Sequence, residues 1–400
     1  MKLLFRGIGY VCGLTIALCG GSGCSENLES PPLEPQPERA GYGRIAYTFD
    51  QTSEWERDEE TRVEVLRLHR EEVIFSDRVR PPQEASFLQY DALLSRDGSR
   101  LFYSGEEGAG RIQELESDSA EEVVAPEPWE KAVVIPRALS ADGHRALFLW
   151  LDEEGDDEAN DPQFGLWRDG AVEPLSEHVL PDFEILSADL SADGTTVALL
   201  GMTPQQTQEG EVFVYRVTVL DIRDEEITRR HLATFDPTAL DVTSLSDDER
   251  PRNLIAISDD AYRLAALVPE ANERPEYVLH TIEDGESTSM TRYSVWAGPL
   301  DDVELSPQGT QIVLTARSTV DSPPQLISFS YSDPYEPKIF PENTSQAAWS
   351  PDGQNLAMVY DYVFDEEDYR SVVATHRDGE DVVLVSEPDY RVHTVSWGWD

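Results

Sequence analysis

Short apolar runs separated by small polar turns recur along most of this chain. The clearest example is Trp349-Ser350-Pro351-Asp352-Gly353, which is followed by the apolar run Leu356-Ala357-Met358-Val359-Tyr360. Serine at the first turn position can bond back to the backbone, proline presets φ at the second, and glycine closes a type I turn. The pattern therefore predicts two short strands joined in a β-hairpin.

Imperfect copies of this turn lie upstream, and each precedes an apolar strand. In chain order they are Ser95-Arg96-Asp97-Gly98, Ser140-Ala141-Asp142-Gly143, Ser191-Ala192-Asp193-Gly194, Ser258-Asp259-Asp260-Ala261 and Ser306-Pro307-Gln308-Gly309. Two copies depart from the pattern, with Ala261 in place of glycine and Gln308 in place of aspartate. Successive serines are 45, 51, 67, 48 and 44 residues apart. Such a period is typical of the blades of a β-propeller.

The Leu-Ser-x-Asp-Gly or Trp-Ser-Pro-Asp-Gly turn, followed by a short apolar strand, resembles the WD-like repeat of the TolB-type β-propeller family. The resemblance covers residues 43 to 400. It implies an all-β propeller, and counting the blades along the chain gives seven. Six or eight blades are the alternatives, because the long interval from Ser191 to Ser258 could contain a further element. Since the blades of a repeat array lack a core of their own, we expect one large domain.

The two ends of the repeat array are predicted to meet. Blade one begins with Arg44–Phe49, and no Ser-x-Asp-Gly turn precedes it, so it has three strands of its own. The chain ends in a spare apolar run, Val392–Trp397, which aligns with the strand that enters the turn at Ser350. We therefore expect the C-terminal strand to close the ring by pairing with blade one, which removes two free sheet edges.

The N-terminal residues have the organisation of an export signal. Lys2 and Arg6 are followed by an uncharged run from residue 7 to residue 25, as in a signal peptide. Within it, Gly21-Ser22-Gly23-Cys24 resembles the lipobox of bacterial lipoproteins. The predicted organisation is a lipoprotein signal peptide over residues 1–23, a Pro/Glu-rich tether over residues 24–42, and the propeller over residues 43–400. An uncleaved membrane helix is the alternative.

The resemblance to lipoproteins implies that Cys24 is lipidated and becomes the new N-terminus. Ser25 follows it instead of the Asp that retains lipoproteins in the inner membrane, which implies an outer-membrane protein of the cell envelope. The other cysteines, Cys12 and Cys19, precede this position. No disulfide or thiol chemistry is therefore expected in the mature domain.

The charge of the chain excludes several classes of partner. It has 31 basic and 79 acidic residues and a formal net charge of −48. Nucleic acids and anionic lipid surfaces would be repelled, so we expect no nucleic acid binding and no membrane contact beyond the N-terminal lipid anchor. Lysine occurs only at Lys2, Lys131 and Lys338. Either a host living at high salt or a GC-rich genome would favour this composition.

The sequence contains few residues arranged for chemistry. Nucleophile elbows, zinc-binding His-Glu-x-x-His motifs and phosphate-binding loops are absent. The histidines are scattered, and His144 and His393 are the two that a channel enzyme would use. The acidic run Asp152–Asp161 is the best candidate for a metal such as Ca²⁺, although a solvated loop is the favoured interpretation. We predict no catalytic residue, cofactor or metal.

Two functions from different classes remain. The favoured one is a non-catalytic scaffold, monomeric and anchored through its lipid, which binds an unidentified envelope protein. Insertions after Leu151 and around Asp247 would supply loops of unequal length on a regular frame. The alternative is a propeller enzyme, a lyase or lactonase that acts on a sugar-derived ligand in the central channel. That enzyme would need several His, Asp or Glu side chains converging from the inner strands.

Overall fold

The architecture is a seven-bladed, all-β propeller. The computed structural model describes residues 42–51, 60–79, 92–105, 107–117, 119–127, 129, 132–151, 163–168, 170–208, 210–223, 226–235, 253–270, 276–284, 289–293, 300–317, 322–365, 368–377, 380–385 and 390–400. Its strands form seven antiparallel sheets of four strands each. The predicted fold class and the predicted number of blades are confirmed.

Blades 1 to 4 are formed by the following strands. Blade 1 contains β1 (Arg44–Gln51), β2 (Glu60–Arg67) and β3 (Glu72–Arg78); blade 2 contains β4 (Leu93–Leu94), β5 (Arg100–Ser104), β6 (Gly110–Glu114) and β7 (Ala120–Val123). Blade 3 contains β8 (Val133–Leu139), β9 (Arg145–Leu151), β10 (Gln163–Arg168) and β11 (Ala171–Pro174); blade 4 contains β12 (Glu184–Leu190), β13 (Thr196–Gln206), β14 (Glu211–Arg223) and β15 (Glu226–Thr234). Short 3₁₀ turns follow β2 and β11, at Leu68–Arg70 and Leu175–His178.

The remaining strands complete the ring. Blade 5 contains β16 (Ile255–Ile257), β17 (Arg263–Glu270), β18 (Glu276–Glu283) and β19 (Ser289–Tyr293); blade 6 contains β20 (Leu300–Leu305), β21 (Gln311–Ala316), β22 (Gln325–Ser330) and β23 (Asp333–Glu342). Blade 7 contains β24 (Thr344–Trp349), β25 (Leu356–Asp365), β26 (Asp368–Arg377) and β27 (Glu380–Val385), and β28 (Tyr390–Gly398) is the fourth strand of blade 1. The long interval after Ser191 contains the extended strands β13 and β14 of blade 4.

The C-terminal strand closes the ring, as the sequence predicts. Strand β28 pairs antiparallel with β1, from Arg44 opposite Gly398 to Gln51 opposite Tyr390. The Asp400 carboxylate, just beyond β28, accepts hydrogen bonds from Arg44 Nε (3.2 Å) and Arg67 Nε (2.9 Å). Burial opposes the ionised form, but these arginines hold the pKa of Asp400 below its ordinary value. The pairing is thus reinforced by charge at one end of the strand.

The repeated turn is held by its serine and its aspartate. In blade 7, Ser350 Oγ donates to Asp352 Oδ1 (2.6 Å) and accepts from the backbone N–H of Asn355 (2.9 Å). The backbone N–H of Gly353 donates to the Ser350 carbonyl (2.7 Å), and Gly353 has φ +65°. The serines of all six turns accept the equivalent bond from the residue five positions later. Each hairpin is therefore fixed by a buried hydroxyl.

The two turns that depart from the pattern keep the same backbone bond. The N–H of Ala261 donates to the Ser258 carbonyl (2.9 Å), and the N–H of Gly309 donates to the Ser306 carbonyl (2.7 Å). Ala261 adopts φ +56°, a conformation that glycine takes more readily. Gln308 uses its side chain differently from aspartate, because its Nε2 donates to the Asp352 carbonyl of the next blade at 2.9 Å.

The core lies within and between the blades. Its largest side chains include Trp150 and Trp167, which are 2% and 1% exposed. Trp397 is also buried (6% exposed), whereas Trp349 is partly buried against the core of blade 7. Within the described ranges, no helix has the length and apolar character needed to span a membrane.

Candidate functional site: the central channel and its mouth

The innermost strands of the seven blades surround a central cavity of about 250 Å³. These strands are β4, β8, β12, β16, β20, β24 and β28. Most of the residues that line it are alanine, leucine, isoleucine and valine, but polar atoms supply most of the surface that faces the cavity. The charged residues that line the cavity are Arg96, Arg137, Asp189, Asp259 and Glu304. The cavity is therefore lined by charged side chains of both signs, set among mostly apolar residues.

One mouth of the channel is formed by the repeated turns, and neighbouring turns are hydrogen bonded to each other. The N–H of Asp97 donates to the Ala141 carbonyl (3.0 Å), the N–H of Ala141 to the Ala192 carbonyl (2.6 Å), and the N–H of Asp259 to the Pro307 carbonyl (3.0 Å). We call this side of the ring the turn face. These backbone bonds join the turns of blades 2, 3 and 4 to one another and the turn of blade 5 to that of blade 6, which keeps those turns in register.

Arginine side chains add a second set of bonds between neighbouring turns. The guanidinium groups at the starts of β1, β5, β9 and β17 each donate to the carbonyl of the turn glycine in the following blade. The pairs and their distances are Arg44 to Gly98 (2.8 Å), Arg100 to Gly143 (3.4 Å), Arg145 to Gly194 (2.7 Å) and Arg263 to Gly309 (3.3 Å). In the described part of the chain, four of the seven blade junctions are thus bridged by an arginine on the turn face.

Arg96 spans the mouth of the channel. It lies in the turn of blade 2, and its guanidinium forms an ion pair with Asp259 in the turn of blade 5, three blades further round the ring. Burial lowers the pKa of Arg96 to about 10, and Asp189 partly offsets this effect. The guanidinium therefore crosses the opening between two acidic groups and narrows the entrance to the cavity.

Asp189 lies in the wall beneath this ion pair. Its two carboxylate oxygens accept hydrogen bonds from the backbone N–H groups of Leu190 and of Ile257 in the next blade, both at 2.8 Å. Burial raises the pKa of Asp189 to about 6, although these bonds and Arg96 favour the ionised form. The carboxyl group therefore joins the innermost strands of blades 4 and 5, and it titrates near neutral pH.

Large aromatic side chains are exposed on the turn face, among them Tyr262 and Trp399. Tyr262, in the turn of blade 5, is 40% exposed. Trp399 is 42% exposed, and its backbone N–H donates to the Arg96 carbonyl at 2.8 Å. Arg96 therefore contacts both Trp399, at the junction of blades 1 and 2, and Asp259, which lies three residues before Tyr262 in blade 5. Exposed aromatic groups thus flank the ion pair that crosses the mouth.

The structure does not bring the two candidate catalytic histidines together. His144 is exposed in the turn of blade 3. His393 lies six residues before Trp399, about 20 Å along the strand from the turn face at ~3.3 Å per residue, and its Nε2 is 2.7 Å from Asp50 Oδ2. The described residues contain no group of three or more His, Cys, Asp or Glu side chains placed to hold a metal ion. These two histidines therefore do not form the group of converging side chains that the enzyme hypothesis requires.

Three other predicted features lie outside the described residues. They are the lipidation site Cys24, the acidic run Asp152–Asp161, and the insertion around Asp247. The lipid anchor and the variable loops therefore stay predictions, and calcium binding by the acidic run stays the less favoured alternative to a solvated loop.

The fold is shared with solved propellers of low sequence identity. The β-propeller domain of the Trilobed protease from Pyrococcus furiosus, described as having an open velcro topology, is 11% identical with a TM-score of 0.54, over 87% of this chain and 93% of that chain. TolB from Acinetobacter baumannii is 12% identical with a TM-score of 0.44, over 94% and 89% of the two chains. A putative TolB from Agrobacterium tumefaciens is 14% identical with a TM-score of 0.39, over 89% and 98%. No family model and no curated protein matches the chain.

Proposed function

We propose that this protein is a non-catalytic scaffold of the cell envelope, held at the outer membrane by a lipid on Cys24, that binds a partner protein through its turn face. The observation that carries the proposal is the pair of exposed aromatic residues, Tyr262 and Trp399, on a rim of hydrogen-bonded turns. Tyrosine, tryptophan and arginine are the residues most enriched among those that dominate binding energy at protein interfaces.

The rigidity of the rim supports this choice of surface. Its backbone bonds and arginine bridges hold the turns in place before binding, so little ordering entropy remains to be lost in the complex. Arg96 and Asp259 at the centre supply charges of both signs, which would orient a partner. The proposal includes the absence of catalysis. It is supported by the separation of His144, in the turn of blade 3, from His393, on β28.

Site-specific crosslinking in cells tests the binding surface. A photoreactive phenylalanine analogue in place of Tyr262 should form an adduct with one envelope protein, whereas the same analogue in place of Ile339, an exposed residue of β23, should not. The variant Trp399→Ser should lower the affinity for the captured protein by about thirtyfold, the effect of losing ~2 kcal/mol at an interface anchor. Equal adducts from both positions would contradict the assignment of the turn face.

Two further measurements test the remaining parts of the proposal. Cys24→Ala should move the protein from the membrane fraction to the soluble fraction and abolish acyl labelling; retention would indicate an uncleaved helix. Turnover of lactones or polysaccharides by the purified protein, lost in a His393→Ala variant that still folds, would support the enzyme instead.

A further inference from the structure

The outermost strand of blade 4 is long, free of proline and exposed on both faces. Strand β15 has nine residues without proline, and it is the last strand of its sheet. Residues 228–231, Thr-Arg-Arg-His, are all exposed. Successive side chains of a strand point to opposite faces, so four consecutive exposed residues mean that both faces are open at this edge. The strand thus presents backbone groups to an incoming chain.

Two other outer strands carry features that oppose such pairing. The longest of them, β23, contains Pro334, Pro337 and Pro341, and proline cannot donate a ladder hydrogen bond. Strand β7 carries Glu121 and Glu122 in four residues. In a protein with a net charge of −48, acidic residues are the abundant means of protecting an edge. The basic residues of β15 call for a different explanation.

Two arginines near this edge have no acidic partner among the described residues. Arg230 is neutralised, because it bonds Asp221 (2.8 Å) and Asp284 (2.7 Å) on the side toward blade 5. In contrast, Arg229 and Arg216 form no ion pair with the described part of the chain, and the buried Nε of Arg216 has no hydrogen-bond partner there. Burial and the nearby Arg216 lower the pKa of His231. The positive charge at this edge is therefore carried by the arginines.

We propose that the free edge of β15 binds an extended acidic segment of a partner protein by β-strand addition, at a surface separate from the turn face. Backbone hydrogen bonds would supply the pairing, and carboxylates of the added strand would meet Arg229 and Arg216. Repulsion by the remaining charge is limited by salt, since the screening length is about 8 Å at physiological ionic strength. Local attraction therefore prevails at contact.

Peptide binding measured by fluorescence anisotropy tests the proposal. The probe is a labelled ten-residue peptide of alternating glutamate and valine, and binding should be saturable at 0.15 M salt. The double variant Arg216→Gln/Arg229→Gln should weaken binding about tenfold, from the loss of two charge pairs. Lys338→Gln, which removes one positive charge from outer strand β23, should change it less than twofold.

Two modified peptides separate strand addition from charge attraction alone. Replacing glutamate by glutamine should weaken binding to the extent seen with the double arginine variant. N-methylation of every second residue on one edge keeps the charges but blocks the ladder, and it should abolish binding. The proposal is overturned if the N-methylated peptide binds as tightly as its parent, if the double variant behaves like Lys338→Gln, or if the glutamate peptide does not bind.

Discussion

The arginine bridges of the turn face should make one turn glycine far more sensitive to substitution than another. Gly194 has φ +68°, and a Cβ atom at this position would lie 2.7 Å from Cδ of Arg145, whose guanidinium donates to the Gly194 carbonyl. Gly170 provides a matched control, because it has φ +84° and no atom within 4 Å of the same added Cβ. Comparing Gly194→Ala with Gly170→Ala separates backbone strain from the loss of the contact between blades.

The expected costs follow from these geometries. Alanine in the left-handed region costs roughly 1 kcal/mol or somewhat more at either position. At Gly194 the new methyl group also displaces Arg145, and a hydrogen bond from a charged donor contributes about 1.5–3 kcal/mol. We therefore expect the free energy of unfolding to fall by about 1 kcal/mol in Gly170→Ala and by about 2.5–4 kcal/mol in Gly194→Ala.

Urea denaturation followed by tryptophan fluorescence measures both variants. The slope of the transition should be unchanged, so the shift in midpoint reports stability. In an Arg145→Ala background, Gly194→Ala should cost less than in the wild type, because the 2.7 Å contact and the hydrogen bond are gone, but more than Gly170→Ala, because the contacts of 3.2 Å to the Cβ atoms of Ser140 and of residue 145 remain. Equal costs for the two glycine variants in the wild-type background would show that the arginine bridge contributes nothing to stability.

Two further predictions concern the odd turn and the channel wall. Ala261→Gly should raise the free energy of unfolding by roughly 1 kcal/mol, because it relieves the strain of alanine at φ +56°. Thr196→Arg places an arginine at the start of β13, in the position of the bridging arginines. In chemical denaturation it should destabilise the wild type but be tolerated in the Ala261→Gly background. Folding raises the pKa of Asp189 from 3.8 to about 6, so the folded protein binds this proton more tightly than the unfolded chain does. The free energy of unfolding of the wild type, relative to that of Asp189→Asn, should therefore fall by up to about 3 kcal/mol from pH 4 to pH 7. A pH-independent difference would contradict the assignment of that pKa to Asp189.

Most of the fold could be predicted because its information is local. Each turn carries its own serine, all but one carry the aspartate and all but one the glycine, and each is followed by an apolar strand. The period therefore counts the blades without knowledge of their packing. The closing strand could also be predicted, since the run Val392–Trp397 resembles the strand that enters the turn at Ser350. These features depend on residues close in sequence, which pattern analysis detects.

The channel residues could not be assembled in the same way, although a signal was present. Asp189 and Glu304 occupy the same position, two residues before the turn serine, where the other blades have Leu93, Ala138 and Ala256 among others. A charge at that position of an inner strand indicates the channel wall. The ion pair between Arg96 and Asp259 joins turns 163 residues apart in sequence, and only closure of the ring places them face to face.

The arginine bridges give a structural reason for part of the unusual composition. Arg44 donates to the Gly98 carbonyl through one nitrogen and to Asp400 through another, so one side chain joins a backbone group and a carboxylate. A lysine offers a single compact ammonium group and cannot reproduce this fork. The equivalent arginines of blades 2, 3 and 5 also reach the carbonyl of the next turn. Four of the scarce positive charges therefore lie where two blades meet. Arg216 and Arg229, which form no ion pair within the described ranges, do not follow this use.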